Sequence, residues 1–176
     1  LRLSLARTGE IRVEGERFLG YLGGAEDPPP SGPFATGDLG AVDAGGFVSI
    51  TGRCKNIYIT SYGRNVSPEW PEAELTAEPA IAQAAVFGEA EPQSRAVLVP
   101  AAEGLGDDAL AAAVRRANGR LPDYARVARW VRAAAAFTPA NGLATANGRP
   151  RREAIHALHA AALAAAAPVD AEGAQA

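Results

Sequence analysis

Between residues 81 and 163 short apolar runs alternate with stretches of helical period, and that alternation restricts the chain to a short sheet with helices packed on it. Residues 81–87 and 95–99 are near-continuous apolar runs bounded by turn residues, the pattern of buried strands. Asp107-Asp108 opens a helix that runs to Asn118, with Leu110 and Val114 four apart on one face. Residues 127–131 read as a further strand, 139–148 as a Gly/Asn-rich loop, and 150–163 as a last helix with Ile155, Leu158 and Leu163 inward. An earlier helix is announced by Ser67-Pro68-Glu69: a capping serine, a proline at the first helical position and early acids, running to about Ala77. Pro71 falls in its first turn, where a missing N–H costs little. The pattern predicts an α+β domain, without internal repeats.

The first third is different. Residues 10–13 alternate apolar and polar and predict a short strand, followed by an apolar run at 18–22. Pro28-Pro29-Pro30 can be neither helix nor central strand and marks a surface loop. Residues 34–59 read as strand, turn, strand, with Asp43, Ala44, Gly45 and Gly46 supplying turn chemistry and Phe47, Val48 and Ile50 the return, a β-hairpin. A third β-branched run occupies 56–60. Past Pro168 the residues are small and polar, and 166–176 is expected to be a disordered tail.

A formal net charge of −3 argues against a polyanionic partner, since phosphate backbones select clustered positive charge, so nucleic acid is not expected. Arg115-Arg116 reads as a solvated helix face. Cys54 is the only cysteine, which precludes an intramolecular disulfide or a thiolate cage and favours a reducing compartment. No apolar run is long enough to span a bilayer and the first residues lack the order of a signal peptide, so the expected location is cytoplasmic. His156 and His159, three apart with no acidic or cysteine companion, read as exposed helix residues rather than metal ligands. The chain opens on Leu1 and contains no methionine, as expected of a piece of a longer protein. Lys55 is its only lysine, so exchange of lysine for arginine is a general habit here.

Four stretches carry more Gly and polar residues than such a fold requires. They are Ala35-Thr36-Gly37-Asp38-Leu39-Gly40, then Ile50-Thr51-Gly52-Arg53-Cys54-Lys55, then residues 61–70 around Gly63-Arg64-Asn65, and Asn147-Gly148-Arg149-Pro150-Arg151-Arg152. Taken singly each has an ordinary reading: Asp38 as a turn residue between glycines, Lys55 as an exposed turn lysine, Arg149 as a cation before a helix. In order and spacing, over roughly residues 9–155, they resemble the adenylate-forming superfamily of acyl-CoA synthetases, luciferases and peptide-synthetase adenylation domains.

The resemblance implies a role for each. Asp38 matches the aspartate of the family's "TGD", which accepts hydrogen bonds from the ribose hydroxyls of ATP, and Arg53 the arginine that also reaches the nucleotide. Lys55 falls at the hinge about which a small C-terminal domain turns between an adenylating and a thioester-forming pose. Gly63, with Arg64 beside it, matches the loop that lies against the pantetheine arm of CoA. Arg149 stands where the family places a lysine that binds the carboxylate and nucleotide oxygens. A planar guanidinium is not an ammonium, so either arginine does the lysine's work, or adenylation is weakened, or the register of the match differs. Leu121-Pro122-Asp123-Tyr124 matches a packing turn, and the "NVSPE" form at 65–69 is more like fatty-acyl ligases than peptide-synthetase modules.

The implied parent reaction joins a carboxylic acid to ATP as acyl-adenylate and then to CoA or a phosphopantetheine carrier as a thioester, with magnesium screening the phosphates. The phosphate-binding loop, acyl tunnel, adenine pocket and magnesium ligands are expected on a large N-terminal adenylation domain, of this or another chain. Residues 1–53 would be its last strands and 54–165 the mobile C-terminal domain. The chain alone is not expected to be active, and the alternative is a non-catalytic binding or scaffold module, or a degenerate member that has lost adenylation.

Overall fold

Side chains alternate across a strand, so the apolar runs of the second half must be covered on both faces, and in the computed structural model they are. The structure describes residues 2–15 and 32–169; the apolar run at 18–22 and the Pro28–Pro30 loop lie outside them. It divides into two units, Leu1–Asn56 and Ile57–Ala176.

The first unit is an antiparallel sheet in the order β1 (Arg2–Leu5), β2 (Glu10–Glu14), β3 (Phe34–Val42) and β4 (Val48–Arg53). The β3–β4 connection is the expected hairpin: Asp43 Oδ1 accepts from the N–H groups of Gly45 at 2.8 Å and Phe47 at 2.9 Å, a side-chain mimic of a turn. A register shift between Leu39 and Gly40 kinks the pair. Gly40 is obligatory there, because a Cβ would sit 2.6 Å from Ile11 Cδ1 and 2.8 Å from the Ser49 carbonyl. Ile11 is buried, yet Phe47 and Ile50 remain 75% and 70% exposed, so this sheet encloses little core of its own. A short 3-10 helix, Cys54–Asn56, ends the unit. The β-branched run predicted for 56–60 shrinks to β5 (Tyr58–Ile59), which pairs with β6 (Asn65–Val66).

The second unit continues with α1 (Glu69–Thr76), β7 (Ile81–Phe87), β8 (Ser94–Pro100), α2 (Asp107–Asn118), β9 (Val127–Arg132) and α3 (Arg152–Ala165). Its sheet has the order β7-β8-β9, with β7/β8 antiparallel and β8/β9 parallel through α2. Ala84, Val86, Ala96 and Leu98 face a core closed by Leu75 of α1 and Leu110 and Val114 of α2. Ala85, Val97 and Val99 face a second core closed by Phe137, Leu143, Ile155 and Leu163. The α+β expectation therefore holds, with one helix pair on one face and α3 plus a loop on the other.

Three local expectations change. Ser67 does not cap α1: its hydroxyl donates to the Glu69 carboxylate at 2.6 Å, and the helix begins after Pro68. Leu158 is 62% exposed while His159 is buried, because the inward stripe of α3 runs 155, 159, 163 at four-residue steps. His159 Nδ1 bonds the Ile155 carbonyl at 2.9 Å, which satisfies one ring nitrogen, while Nε2 is buried without a partner among the described residues. His156 instead lies against the Phe87 ring, centroids 5.1 Å apart. Of the expected loose tail, Pro168 bridges Arg129 and the Val169 N–H donates to the Ala128 carbonyl at 2.7 Å, so the exposed edge of β9 holds it; residues 170–176 lie outside the described ones.

One buried charge pair ties the layers together. Glu72 of α1 accepts from the Val86 N–H at 2.9 Å and from Arg152, at the start of α3, at 3.1 and 2.5 Å. Val86 sits on the edge strand β7, so the carboxylate satisfies a free edge donor and reaches round it to the opposite layer. Burial pushes Glu72 up to about 7, against the pull of the adjacent Arg152.

Two outcomes follow from this packing. Gly88→Ala would place a Cβ 2.3 Å from the ring of Tyr58, whose buried hydroxyl is held by Ser94 at 2.5 Å, and should cost about 1–3 kcal/mol of unfolding free energy in a urea titration. A carboxyl whose folded pKa lies above its unfolded value favours the native state most at low pH and loses that advantage as pH rises to about 7. The melting temperature of the wild type should therefore fall relative to that of Glu72→Gln across that window, and a pH-independent difference would contradict it.

Candidate functional site

Cross-strand register decides the first part of the site. Asp38 and Arg53 are directly opposed on β3 and β4, and Arg53 Nε lies 2.6 Å from Asp38 Oδ1. The side chains are 22% and 45% exposed, so the pair adds little stability and leaves polar atoms of both groups open to a ligand. The aspartate backbone is fixed from below: Thr36 Oγ1 donates to the Ile11 carbonyl at 2.8 Å and accepts from the Asp38 N–H at 3.1 Å. Gly37 has φ +74°, and its N–H donates to the Glu10 carboxylate at 3.1 Å. A glycine is required there by conformation rather than by crowding, since the nearest atom to an added Cβ would be Arg53 Nη1 at 4.0 Å. Next along, burial and then the charge of Glu10 push the Cys54 thiol up, away from the thiolate a nucleophile would need.

Lys55 is exposed in the 3-10 helix Cys54–Asn56, one residue before the division between the units. The sequence boundary expected at 53/54 is thus three residues ahead of the observed one.

Gly63 and Arg64 lie on the turn joining β5 to β6. Thr60 organises it: its N–H donates to the Arg64 carbonyl at 2.9 Å, its carbonyl accepts from Gly63 at 2.8 Å, and its buried hydroxyl accepts from the Arg64 N–H at 3.1 Å. Gly63 takes φ +72° with no atom within 4 Å of an added Cβ, so the backbone surface there is open. The hairpin is docked by Tyr58 and Val66 in the core and by Ser61 donating to the Glu91 carbonyl at 2.9 Å. The Arg64 guanidinium stands 5.6 Å from the ring centroid of Tyr124, a cation–π contact that gives the predicted packing turn at 121–124 a second use.

Arg149 is on a different hairpin. Arg151 donates to the Leu143 carbonyl at 2.8 Å, Ala144 bridges Pro150, Thr145 donates to the Arg149 carbonyl at 2.9 Å, and Gly148 closes the tip on Thr145 at 2.9 Å with φ +76°. Arg149 itself is exposed, and among the described residues its guanidinium forms no ion pair. Arg152, three residues on, is the partner of Glu72.

The structure brings Asp38 and Arg53 into contact, and sets Lys55, the Gly63-Arg64 turn and Arg149 on separate elements. Sequence reasoning missed Glu10, Glu72 and Gln83. Glu72 had a signal, since an acid three residues before the core residue Leu75 on one helix face needs a buried partner; Gln83 had none, because a glutamine in a strand is ordinary. Among the described residues no group of three His, Cys, Asp or Glu could hold a metal, and no helix is long and apolar enough to cross a membrane.

Comparison with known proteins gives the family and the fold. The chain is 46% identical over 94 residues to the long-chain-fatty-acid–CoA ligase FadD15 of Mycobacterium tuberculosis, a match covering 51% of this chain but only 16% of the ligase. Its fold is similar to the adenylation domain of a carboxylate reductase from Mycobacterium chelonae, with TM-score 0.74 and 25% identity over 89% of this chain and 27% of that one. It is also similar to the adenylation domain of a carboxylic acid reductase from Segniliparus rugosus, solved with AMP and a co-purified carboxylic acid, with TM-score 0.67 and 25% identity over 78% of this chain and 23% of the other. Residues 55–166 match the family of AMP-binding enzyme C-terminal domains, and the chain belongs to that family.

Proposed function

We propose that the chain is the C-terminal portion of an ATP-dependent acyl-CoA synthetase acting on fatty acids, with its phosphate loop and acyl pocket on a large N-terminal domain. The observation that carries this reading is the Asp38–Arg53 pair, one carboxylate oxygen held at 2.6 Å on Nε. The remaining carboxylate oxygen is suited to a ribose diol, and the terminal guanidinium N–H groups to ribose or phosphate oxygens. The AMP bound by the Segniliparus adenylation domain and the fatty-acid ligase activity of FadD15 support nucleotide and acyl acid as its substrates.

In the first step a substrate carboxylate oxygen attacks the α-phosphorus and pyrophosphate leaves. In the second a thiolate attacks the acyl carbonyl and AMP leaves. Asp38 and Arg53 would hold the sugar in the first step, and Arg149 would offset negative charge gathering on carboxylate and phosphate oxygens. Lys55 would be the pivot, its position at the end of the first unit fitting a short hinge. Gly63 and Arg64 would line the thiol path in the second step, where an open glycine backbone admits a narrow pantetheine chain. The acceptor would be CoA or a phosphopantetheine carrier, and the setting cytoplasmic. Magnesium would be held with the phosphates by the large domain.

Exposed Val42, Val48 and Ile50, which the strand register puts on one face of the first sheet, support the large domain as the partner, because an open apolar face of this kind calls for a cover. In a polypeptide joining this chain to that domain, Asp38→Ala should lower ATP–pyrophosphate exchange about 10- to 100-fold, the value of one or two charge-assisted hydrogen bonds. Exchange at the wild-type rate would remove the ribose assignment and favour a scaffold role. Lys55→Pro should leave exchange intact while stopping thioester formation, and equal loss of both half-reactions would dispose of the hinge.

A further inference from the structure

We propose that Gln83, acting through Phe137, and Glu72, acting through Arg152, are positioning residues that fix the Arg149 hairpin for the adenylation step and leave the thioester step untouched. The inference rests on the assignment of Arg149 to adenylation and adds what holds it in place.

The hairpin at 143–151 belongs to a stretch, 133–151, that contains neither helix nor extended strand. Such a segment needs anchors if its tip is to carry a cation to a fixed point. Both ends have one. At the entry, the Phe137 N–H donates to Gln83 Oε1 at 2.7 Å and Gln83 Nε2 donates to the Phe137 carbonyl at 3.1 Å, so the amide side chain pairs with the backbone as a neighbouring strand would. Phe137 itself is buried in the second core. At the exit, Arg152 makes a two-point contact with Glu72 at 3.1 and 2.5 Å and reaches Glu69 at 3.3 Å. Only Pro150 and Arg151 separate it from Arg149, and proline fixes its own φ, so little slack lies between anchor and tip.

The two anchors share one support. Gln83 projects from β7, and Glu72 is held on the N–H of Val86 three residues along the same strand. A single strand therefore sets both feet of the hairpin, one from its face and one from its edge. Stability alone does not demand this chemistry, because a buried ion pair is commonly matched by well-packed apolar side chains of similar volume. Direction is what a bidentate guanidinium–carboxylate contact and a paired amide provide and apolar packing does not. A displacement of about 1 Å at a charge-stabilising group costs about 100-fold in rate, which is the scale on which such anchoring matters.

The test uses the polypeptide that joins this chain to the large domain, assayed at about pH 8, where Glu72 is ionised. ATP–pyrophosphate exchange reads adenylation, and transfer from purified acyl-adenylate to CoA reads the second step. Gln83→Leu and Glu72→Gln should each lower kcat for exchange roughly 10-fold or more, with KM for ATP and the acyl-transfer rate both within about twofold of wild type. If Glu72→Gln does not fold, Gln83→Leu decides, since an apolar side chain at that position cannot make the two bonds to Phe137. Equal losses in both half-reactions would reveal a merely structural role and overturn the proposal; so would unchanged exchange. Arg149→Ala separates the two levels. If it abolishes exchange while Gln83→Leu does not, the positioning inference alone fails; if it leaves exchange intact, the assignment of Arg149 fails and the inference falls with it.

Discussion

A three-stranded sheet with apolar residues on both faces cannot stand alone, and the second unit is organised by the need to cover it twice. One face receives α1 and α2, whose Leu75, Leu110 and Val114 are fully buried. The other receives α3 together with a loop, and the loop carries Arg149, the cation proposed for adenylation. A second helix on that side would have filled the space with a regular rod. Phe137, Leu143 and Ala144 fill it instead with irregular backbone, which frees the segment up to Pro150 to turn back as a hairpin bearing Arg149. Covering the sheet and presenting the cation are thus one piece of chain.

The first unit works on a different balance. Its sheet buries Ile11 but leaves Phe47 and Ile50 open, and it sets Asp38 opposite Arg53 on adjacent strands. The kink between Leu39 and Gly40 lies just past Asp38, in a place where no side chain fits, so the register that opposes Asp38 and Arg53 is protected by close contact with Ile11 and Ser49. A partly exposed ion pair contributes little to folding. Its cost is low for the same reason, and it can exchange part of its solvation for a ligand without unfolding the hairpin beneath it.

Elements with a strong period were legible in the sequence: the runs at 81–87, 95–99 and 127–131 are strands, 107–118 is a helix, and Asp43 to Gly46 is a turn. Motif order supplied the family and nominated the site residues, which no periodicity could have done. What escaped was side-chain bookkeeping. Leu158 and His159 are neighbours on α3, and hydrophobicity alone favours the wrong one; the choice is made by a four-residue step that aligns 155, 159 and 163, and by a histidine that can spend one ring nitrogen on its own helix. Ser67 has the composition of a cap, but the acid two residues later takes its hydroxyl. Gln83 and Glu72 act across more than fifty and about eighty residues of chain on Phe137 and Arg152, distances at which a single sequence carries no signal.

The shortage of lysine bears on how the site must be built. Ion pairs at Arg53, Arg95, Arg116, Arg120, Arg132 and Arg152 are all made by guanidinium groups, and several use two nitrogens at once: Arg120 spans Glu74 and Glu78, and Arg152 grips Glu72 while touching Glu69. A fork of this kind is directional where an ammonium is nearly isotropic. Lysine at the tip of a loop tolerates some error in its approach to a phosphate or carboxylate, because a compact point charge loses little on rotation. Arginine at position 149 does not have that tolerance, since its donors lie in one plane. An arginine doing a lysine's work at 149 would therefore move the burden from the side chain to its mounting, and a hairpin secured at both feet to one strand is the mounting that such a planar cation would require.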